Sequence, residues 1–408
     1  MLAESGFLLD ADGKQVVLGH PGPRAFERFA QAYPVVPRTR EQESNAESRR
    51  LPRKLTDNNY KQASLEDYGE EIRRVWGHYL GERPCLYTWL HAVEHATQAS
   101  EGVRRRDWNI VLTEIARTIT WWLAFILQLN DLQGSDKEEL IFALPLTPSQ
   151  IIWSKYPAVC PVDFGLAVRK VKKGEKVRWG DLASIPCQCM SRKRDVEGRS
   201  EKEKKYAKRE LWKFSRYNRS KRPKYVSEME EMFQRIFEPQ ASALSTEEVA
   251  FHFLEEVGEV SRALAELAKS RRISPSQTQH ELLVSERVDR LKGLTEELAD
   301  VFSWTITLVS RVRLDLRSYD AYFNTGEKSK ILSQIRKMVG RDAEKVNLPD
   351  LLWRRFGING VFQCDECKRS PCRCQSARAG LAVRLQGPAF QAAKPVLMDA
   401  LSEFKKEI

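Results

Sequence analysis

This sequence is poor in histidine and cysteine, and it has no very long apolar run. Only 6 of its 408 residues are histidine and 8 are cysteine. The longest apolar run, ITWWLAFILQL after Thr118, is shorter than the roughly 20 residues that cross a bilayer. The chain also starts without the basic region and apolar core of a signal peptide. We therefore expect a cytoplasmic protein without a membrane span.

Seven of the eight cysteines fall in two groups, which is typical of metal ligands and not of a secreted disulfide framework. The second group has the pattern CxxC-x4-CxC and consists of Cys364, Cys367, Cys372 and Cys374. The first group has one carboxylate in place of a thiol and consists of Cys160, Asp163, Cys187 and Cys189. Four such ligands predict a tetrahedral structural Zn²⁺ site in each group, within a short span in the second group and with a longer loop before the CxC pair in the first. The alternative is free cysteines in a reducing compartment, as we expect for the isolated Cys85.

The positive charge is concentrated in one segment. The net charge is +11, and the segment Arg192–Lys224 holds fifteen Lys or Arg and five Asp or Glu, or +10 of that total. Aromatic residues are interleaved with these charges: Tyr206, Trp212, Phe214 and Tyr217. We expect a partly helical linker that folds along the body of the protein. Binding of nucleic acid, to which short CxC loops can also contribute, is a possible but less favoured alternative.

The stretch Phe251–Trp304 contains two pairs of acids at helical spacing. Glu256 and Glu259 stand three residues apart, and so do Glu297 and Asp300, so each pair lies on one face of a helix. Apolar residues flank both pairs, and carboxylates buried together need a cation. Mg²⁺ or Mn²⁺ suits such oxygen ligands. The alternative is two amphipathic helices with solvated acids.

The motifs EEVGE and EELAD resemble the EExxE…ExxD signature of the MazG-like all-α nucleoside triphosphate pyrophosphohydrolases. The resemblance implies hydrolysis of a nucleoside triphosphate to the monophosphate and pyrophosphate, with Mg²⁺ held by the four acids. Glu255 and Glu296 would then orient ligands or water, or be merely solvated. Phe253 and Trp304 would line a base pocket, or be plain core. The connection between the two motifs is longer than is usual in the family, and we place the surplus in a surface loop, KSRRISPSQTQ.

The acidic stretch has a degenerate counterpart earlier in the chain. WLHAVEHATQ aligns with FHFLEEVGE, and EIARTITW aligns with ELADVFSW. His95, Gln98 and Arg117 take the places of three of the four acids, and Glu114 alone survives. Both copies lead into a Cys-rich segment, IIWSKYPAVCPVD in the first and LLWRRFGINGVFQCDEC in the second. Some MazG-like proteins carry a similar Cys-rich tail, so the resemblance extends beyond the acids.

We therefore predict an all-α fold with two tandem MazG-like bundles, each followed by a zinc-binding hairpin. The expected segments are an N-terminal hairpin, helix and linker (1–54), the degenerate bundle (55–145), its Cys-rich hairpin (146–190), the basic linker (191–224), the intact bundle (225–345), its Cys-rich hairpin (346–376) and a C-terminal helix (377–408). MazG-like proteins assemble at least as dimers, so the two bundles are expected to form an intramolecular pseudo-dimer, and whole chains can pair again as a homo-oligomer. The alternative to an enzyme is a non-catalytic nucleotide-sensing scaffold that binds a partner protein or nucleic acid.

Overall fold

The computed structural model describes residues 54–82, 85–130, 146–172, 186–188, 200–270, 280–322 and 346–374. These residues are mostly helical, as predicted for an all-α fold. The elements are α1 (Leu65–Glu82), α2 (Cys85–Arg105), α3 (Trp108–Asn130), α4 (Pro148–Lys155), α5 (Pro161–Lys172), α6 (Glu201–Tyr217), α7 (Val226–Ala243), α8 (Thr246–Ser270), α9 (His280–Tyr322), α10 (Leu348–Phe356), β1 (Gly357–Ile358) and β2 (Val361–Phe362), with 3₁₀ turns at Tyr60–Gln62 and Arg219–Lys221.

Two helix pairs, α2 with α3 and α8 with α9, form the centre of the fold, and α2 packs on α8. The turn between α2 and α3 is tight because Gly102 has no side chain there. A Cβ at Gly102 would lie 3.0 Å from side-chain atoms of Ile110 and Val111. Outside the centre, α1 packs on α3 and α7 packs on α9.

Both predicted bundles contribute to one hydrophobic core. Trp122 of α3 lies with its ring centroid 5.5 Å from that of Phe302 in α9, and its Nε1 donates to the carbonyl of Leu298 at 3.0 Å. Trp89 of α2 donates to Ser261 Oγ of α8 at 2.9 Å. Each indole N–H therefore has an acceptor in the other bundle, as buried tryptophans require.

Helix α3 is apolar over a longer span than the run noted in the sequence. By length and composition Trp108–Asn130 is the one described helix that could cross a membrane. Within the protein, however, 78% of its most apolar window is buried. A mostly buried core helix passes the same test, and α3 packs against α1, α2, α9 and α10.

The segments that follow each bundle pack on the opposite bundle. Helix α4 lies on α9, and α10 lies on α3. The Cys187 amide donates to the Ile236 carbonyl of α7 at 2.8 Å, and the Cys372 amide donates to the Val75 carbonyl of α1 at 2.7 Å. The sequence alignment equates Ile236 with Val75 and Cys187 with Cys372, so equivalent positions make matching contacts across the molecule.

The basic segment contains helix α6, which packs on α4 and α5. Trp212 is buried, and the Phe214 ring lies 5.2 Å from that of Phe164. Tyr206 also packs on the hydrophobic cluster that contains Phe164, so three of the four aromatic side chains face the body of the protein. The first two residues of the expected surface loop, Lys269 and Ser270, belong to α8. The rest of that loop (271–279), the side chain of Tyr217, the N-terminal segment before residue 54 and the expected C-terminal helix lie outside what the structure describes.

Candidate metal centres

Three of the four predicted acidic ligands lie together. Glu256 and Glu259 project from α8, and Glu297 projects from α9. One carboxylate oxygen from each lies within 4.8 Å of the others. The two helices bring the acids together because each pair follows the three-residue spacing of one helical face.

Burial and the neighbouring carboxylates disfavour the charged forms of Glu256 and Glu297. Burial, with the nearby Asp300 carboxylate, raises the pKa of Glu256 to about 8. Burial, with the carboxylates of Asp300 and Glu259, also raises the pKa of Glu297 to about 7, against the opposing effect of Lys155. Carboxylate oxygens in this arrangement are the donor set of a hard divalent cation. The chemistry of the cluster therefore fits Mg²⁺ or Mn²⁺.

Asp300, the fourth predicted ligand, has other partners. Its Oδ2 accepts from the Lys155 ammonium, and its Oδ1 accepts from the Tyr156 hydroxyl. Burial raises the pKa of Asp300, and Lys155 and Tyr156 oppose that shift. The carboxyl group is directed toward these two residues, so the structure does not place it in the cluster with Glu256 and Glu297.

Lys155 and Tyr156 are site residues that the sequence analysis did not identify. They lie at the end of α4, which follows the first bundle and packs on α9. Although burial favours a neutral amine, Asp300, Glu296 and other carboxylates raise the pKa of Lys155. Their sequence signal is the W-S-K-Y segment, which opens the first Cys-rich segment.

The four other residues that the sequence analysis assigned to this site lie in different surroundings. Glu255 is exposed and pairs with His252 Nδ1 at 3.1 Å, and Glu296 pairs with Lys208 of α6. Neither acid belongs to the group of converging carboxylates. Trp304 borders the cluster, since its Nε1 donates to Glu256 Oε1 at 3.1 Å. Phe253 is completely buried and lies in the core.

The corresponding place in the first bundle holds an ion-pair network. His95 Nδ1 lies 2.7 Å from Glu114 Oε2, and Arg117 donates to Glu114 Oε1 at 2.9 Å. Arg117 also binds Asp365 at 2.9 Å, and Arg355 binds the same carboxylate at 2.5 Å. Although burial acts in the other direction, the two arginines lower the pKa of Asp365. Cations of the protein itself neutralise the acids here.

The four thiols of the second cysteine group converge. All four Sγ atoms lie within 4.8 Å of one another. Cys364 Sγ is 3.5 Å from Cys374 Sγ, and Cys367 Sγ is 3.8 Å from Cys372 Sγ. With a Zn–S distance of about 2.3 Å, the edges of a ZnS₄ tetrahedron measure about 3.8 Å. The geometry therefore fits zinc.

A tight backbone turn and a backbone hydrogen bond position this cysteine cluster. Strands β1 and β2 are joined by Asn359 and Gly360, both with positive φ, as in the Asn-Gly turns typical of tight hairpins. The Arg373 amide donates to Cys367 Sγ at 3.3 Å. Although burial opposes it, this hydrogen bond and those of the other thiols lower the pKa of Cys367 to about 7. Burial raises the pKa of Cys372 to about 12, so the four thiols do not all ionise readily without a cation.

Three of the four predicted ligands of the first group also converge. The ligand atoms of Cys160, Asp163 and Cys187 lie within 4.8 Å of one another, with the two sulfurs 3.3 Å apart. Asp163 Oδ2 accepts from the backbone N–H of Gln188 at 2.8 Å. The buried Oδ1 of Asp163 has no hydrogen-bond partner in the described ranges. A metal ligand would satisfy that oxygen. Cys189 lies outside the described residues.

Comparison of the chain with protein families, with characterised proteins and with solved structures gives no match.

Proposed function

We propose that this protein is a MazG-like, Mg²⁺-dependent nucleoside triphosphate pyrophosphohydrolase of the cytoplasm. In this proposal, the chain is a pseudo-dimer of two repeats, and the second repeat alone holds a working site. The substrate is a ribo- or deoxyribonucleoside triphosphate, and the products are the monophosphate and pyrophosphate.

The convergence of Glu256, Glu259 and Glu297 within 4.8 Å is the observation that carries the proposal. Three partly buried acids with these positions repel one another, and a hard divalent cation relieves that repulsion. Bound Mg²⁺ or Mn²⁺ supplies an activated water and neutralises charge on a phosphate chain. The first bundle keeps Glu114 alone of the four acids and pairs it with Arg117, which agrees with a single working site.

Residues of the first repeat complete the site. Asp300 holds the Lys155 ammonium beside the carboxylate cluster, and Lys155 also lies 3.5 Å from the carbonyl of Glu296. In our proposal this ammonium pairs with a substrate phosphate that the acids alone would repel. Tyr156 fixes the other oxygen of Asp300, so it positions the carboxylate and does not touch substrate.

We assign structural Zn²⁺ to both cysteine groups. Because each group hydrogen-bonds to a helix of the opposite bundle, zinc at either place would fasten the two repeats together.

The proposal is tested by product analysis with a panel of nucleoside and deoxynucleoside triphosphates, in Mg²⁺, in Mn²⁺ and in EDTA. We expect monophosphate and pyrophosphate with either metal and neither product in EDTA. Glu297→Gln should abolish turnover and reduce Mn²⁺ binding. Its matched control is Glu114→Gln, the equivalent substitution in the first bundle, which should leave turnover and Mn²⁺ binding unchanged. Equal effects of the two substitutions would contradict a single working site.

A non-catalytic nucleotide sensor is the second candidate, and one observation favours it. Two of the acids already have a cation from the protein: Lys155 lies on Asp300, and Arg262 donates to Glu259 at 2.7 Å. Tight nucleotide binding in Mg²⁺ without any turnover would select the sensor. Salt-sensitive retention on nucleic acid, lost on neutralising the charges of α6, would identify nucleic acid as its partner.

A further inference from the structure

Each bundle contains a histidine stacked on a tryptophan. The His91 and Trp121 rings lie 4.6 Å apart at an angle of 23°, and the His252 and Trp304 rings lie 4.7 Å apart at the same angle. The alignment of the two repeats equates His91 with His252 and Trp121 with Trp304. The same stack is therefore present twice, once beside the ion-pair network and once beside the carboxylate cluster.

In the first bundle other aromatic residues cover this stack. The Tyr79 hydroxyl lies 2.9 Å from His91 Nε2, and the Tyr87 ring packs edge-on against the imidazole at 4.9 Å. The His91 side chain is only 15% exposed as a result. This histidine has its ring atoms satisfied and no open face for a ligand.

In the second bundle the stack is open. Gln240 stands where the alignment places the counterpart of Tyr79, and its amide is directed toward Cys187 Sγ at 3.9 Å. The His252 side chain is 41% exposed, and within the described ranges nothing bonds its Nε2. Phe251, which is 70% exposed, lies beside it with the two ring centroids 6.4 Å apart. Of the two histidine–tryptophan stacks, the one beside the acids therefore has the more exposed imidazole, although Tyr87 beside the other stack is itself 38% exposed.

The open His252–Trp304 stack adjoins the carboxylate cluster. Trp304 Nε1 donates to Glu256 Oε1, and His252 lies on the face of the same indole. In a nucleotide the base is separated from the α-phosphate by one sugar. A phosphate chain at the cluster would therefore place a base within reach of the imidazole.

We propose that the base of the substrate stacks on the exposed face of His252, which extends the Trp304–His252 stack by one ring. This inference rests on the proposed function and names the group that holds the base. Glu255 fixes the imidazole through Nδ1 and keeps the ring flat on the indole. Because every base has an aromatic face, such a surface accepts purines and pyrimidines and discriminates weakly between them.

The test uses the full-length protein with ATP as substrate and inorganic tripolyphosphate as a competitive inhibitor without a base. His252→Ala should raise the KM for ATP by roughly 10-fold, or about 1.4 kcal/mol of lost stacking. The kcat should stay the same, because stacking is equal in the ground and transition states. The inhibition constant of tripolyphosphate should not change. His252→Phe, which keeps a flat ring, should restore the KM.

His91→Ala is the matched control, and it should leave the KM for ATP unchanged. If His252→Ala alters the KM for ATP and the inhibition constant of tripolyphosphate equally, or alters neither, the inference is overturned while the proposed function stands. If the wild-type protein turns over no nucleotide, the proposed function fails, and calorimetry with a non-hydrolysable ATP analogue decides the inference. Weaker binding by the His252→Ala variant supports it there, and equal or absent binding overturns it.

Discussion

The contact between Lys155 and Asp300 gives the sharpest test of how the two halves are arranged. The residues are 145 positions apart, and each comes from a different repeat. Asp300 is 8% exposed, and the Lys155 side chain is 19% exposed. Removing one partner of a buried ion pair leaves a charge without compensation, which typically costs about 3–5 kcal/mol. Because Lys155 keeps some solvent contact, we expect the lower end of that range.

We predict that Lys155→Met and Asp300→Asn each lower the free energy of unfolding by about 3 kcal/mol. The double variant should cost about as much as one single variant, because neither charge is then left alone. This corresponds to a coupling free energy of about 3 kcal/mol. Urea unfolding in EDTA at pH 8 measures all four proteins without any contribution from a divalent metal.

The pair Lys208 and Glu296 is the matched control, since the Lys208 side chain is 61% exposed. Lys208→Met should cost less than about 1 kcal/mol, as exposed ion pairs do. The packing of α4 on α9 of the opposite bundle would be refuted if Lys155→Met cost no more than Lys208→Met. It would also be refuted if the effects of Lys155→Met and Asp300→Asn simply added in the double variant.

Two further predictions concern groups away from the carboxylate cluster. Burial raises the pKa of Glu230 to about 7, although the hydrogen bond from the Leu348 amide and the charge of Arg313 act in the other direction. The folded protein therefore holds this proton more tightly than the unfolded chain does. As a result, the free energy of unfolding falls as pH rises from about 4.5 to about 7. Glu230→Gln should remove this pH dependence. Relative to wild type, the free energy of unfolding of the variant should therefore rise by up to about 3 kcal/mol between pH 5 and pH 8. If chemical denaturation shows the same dependence of this free energy on pH in both proteins, the prediction is contradicted. Cys372→Ser should release one zinc per chain, measured by elemental analysis. It should also lower the melting temperature, because without zinc the cysteine cluster no longer holds in place the segment whose residue 372 backbone amide donates to α1. Cys85→Ser, within α2, should keep the full zinc content, and an unchanged content in both variants would exclude zinc from the second group.

The sequence was sufficient for the features that depend on local spacing. The three-residue spacing of the acids predicted which helical faces carry Glu256, Glu259 and Glu297, and the apolar neighbours predicted that these faces are partly buried. The CxxC and CxC patterns predicted the convergence of four thiols, which the structure brings together. In each case the relevant residues are separated by few positions or lie on adjacent helices.

Contacts between the halves could not be predicted in the same way. Spacing does not tell which bundle a following segment packs on, so the approach of Lys155 to Asp300 was missed. The fourth acid was consequently expected among the metal ligands, although a lysine and a tyrosine take up its oxygens. The difference between His91 and His252 was also invisible, because it depends on Tyr79 from another helix.

Because the segment that follows each bundle packs on the opposite bundle, the charges at these contacts also determine which half could pair with a copy of itself. Two second halves would set Arg355 against Asp300, which is again a cation facing a carboxylate. Two first halves would set Lys155 against Arg117, and Pro161 would stand where the second half supplies Asp365. The first half therefore depends on its neighbour for charge balance, whereas the second half retains what a symmetric dimer needs.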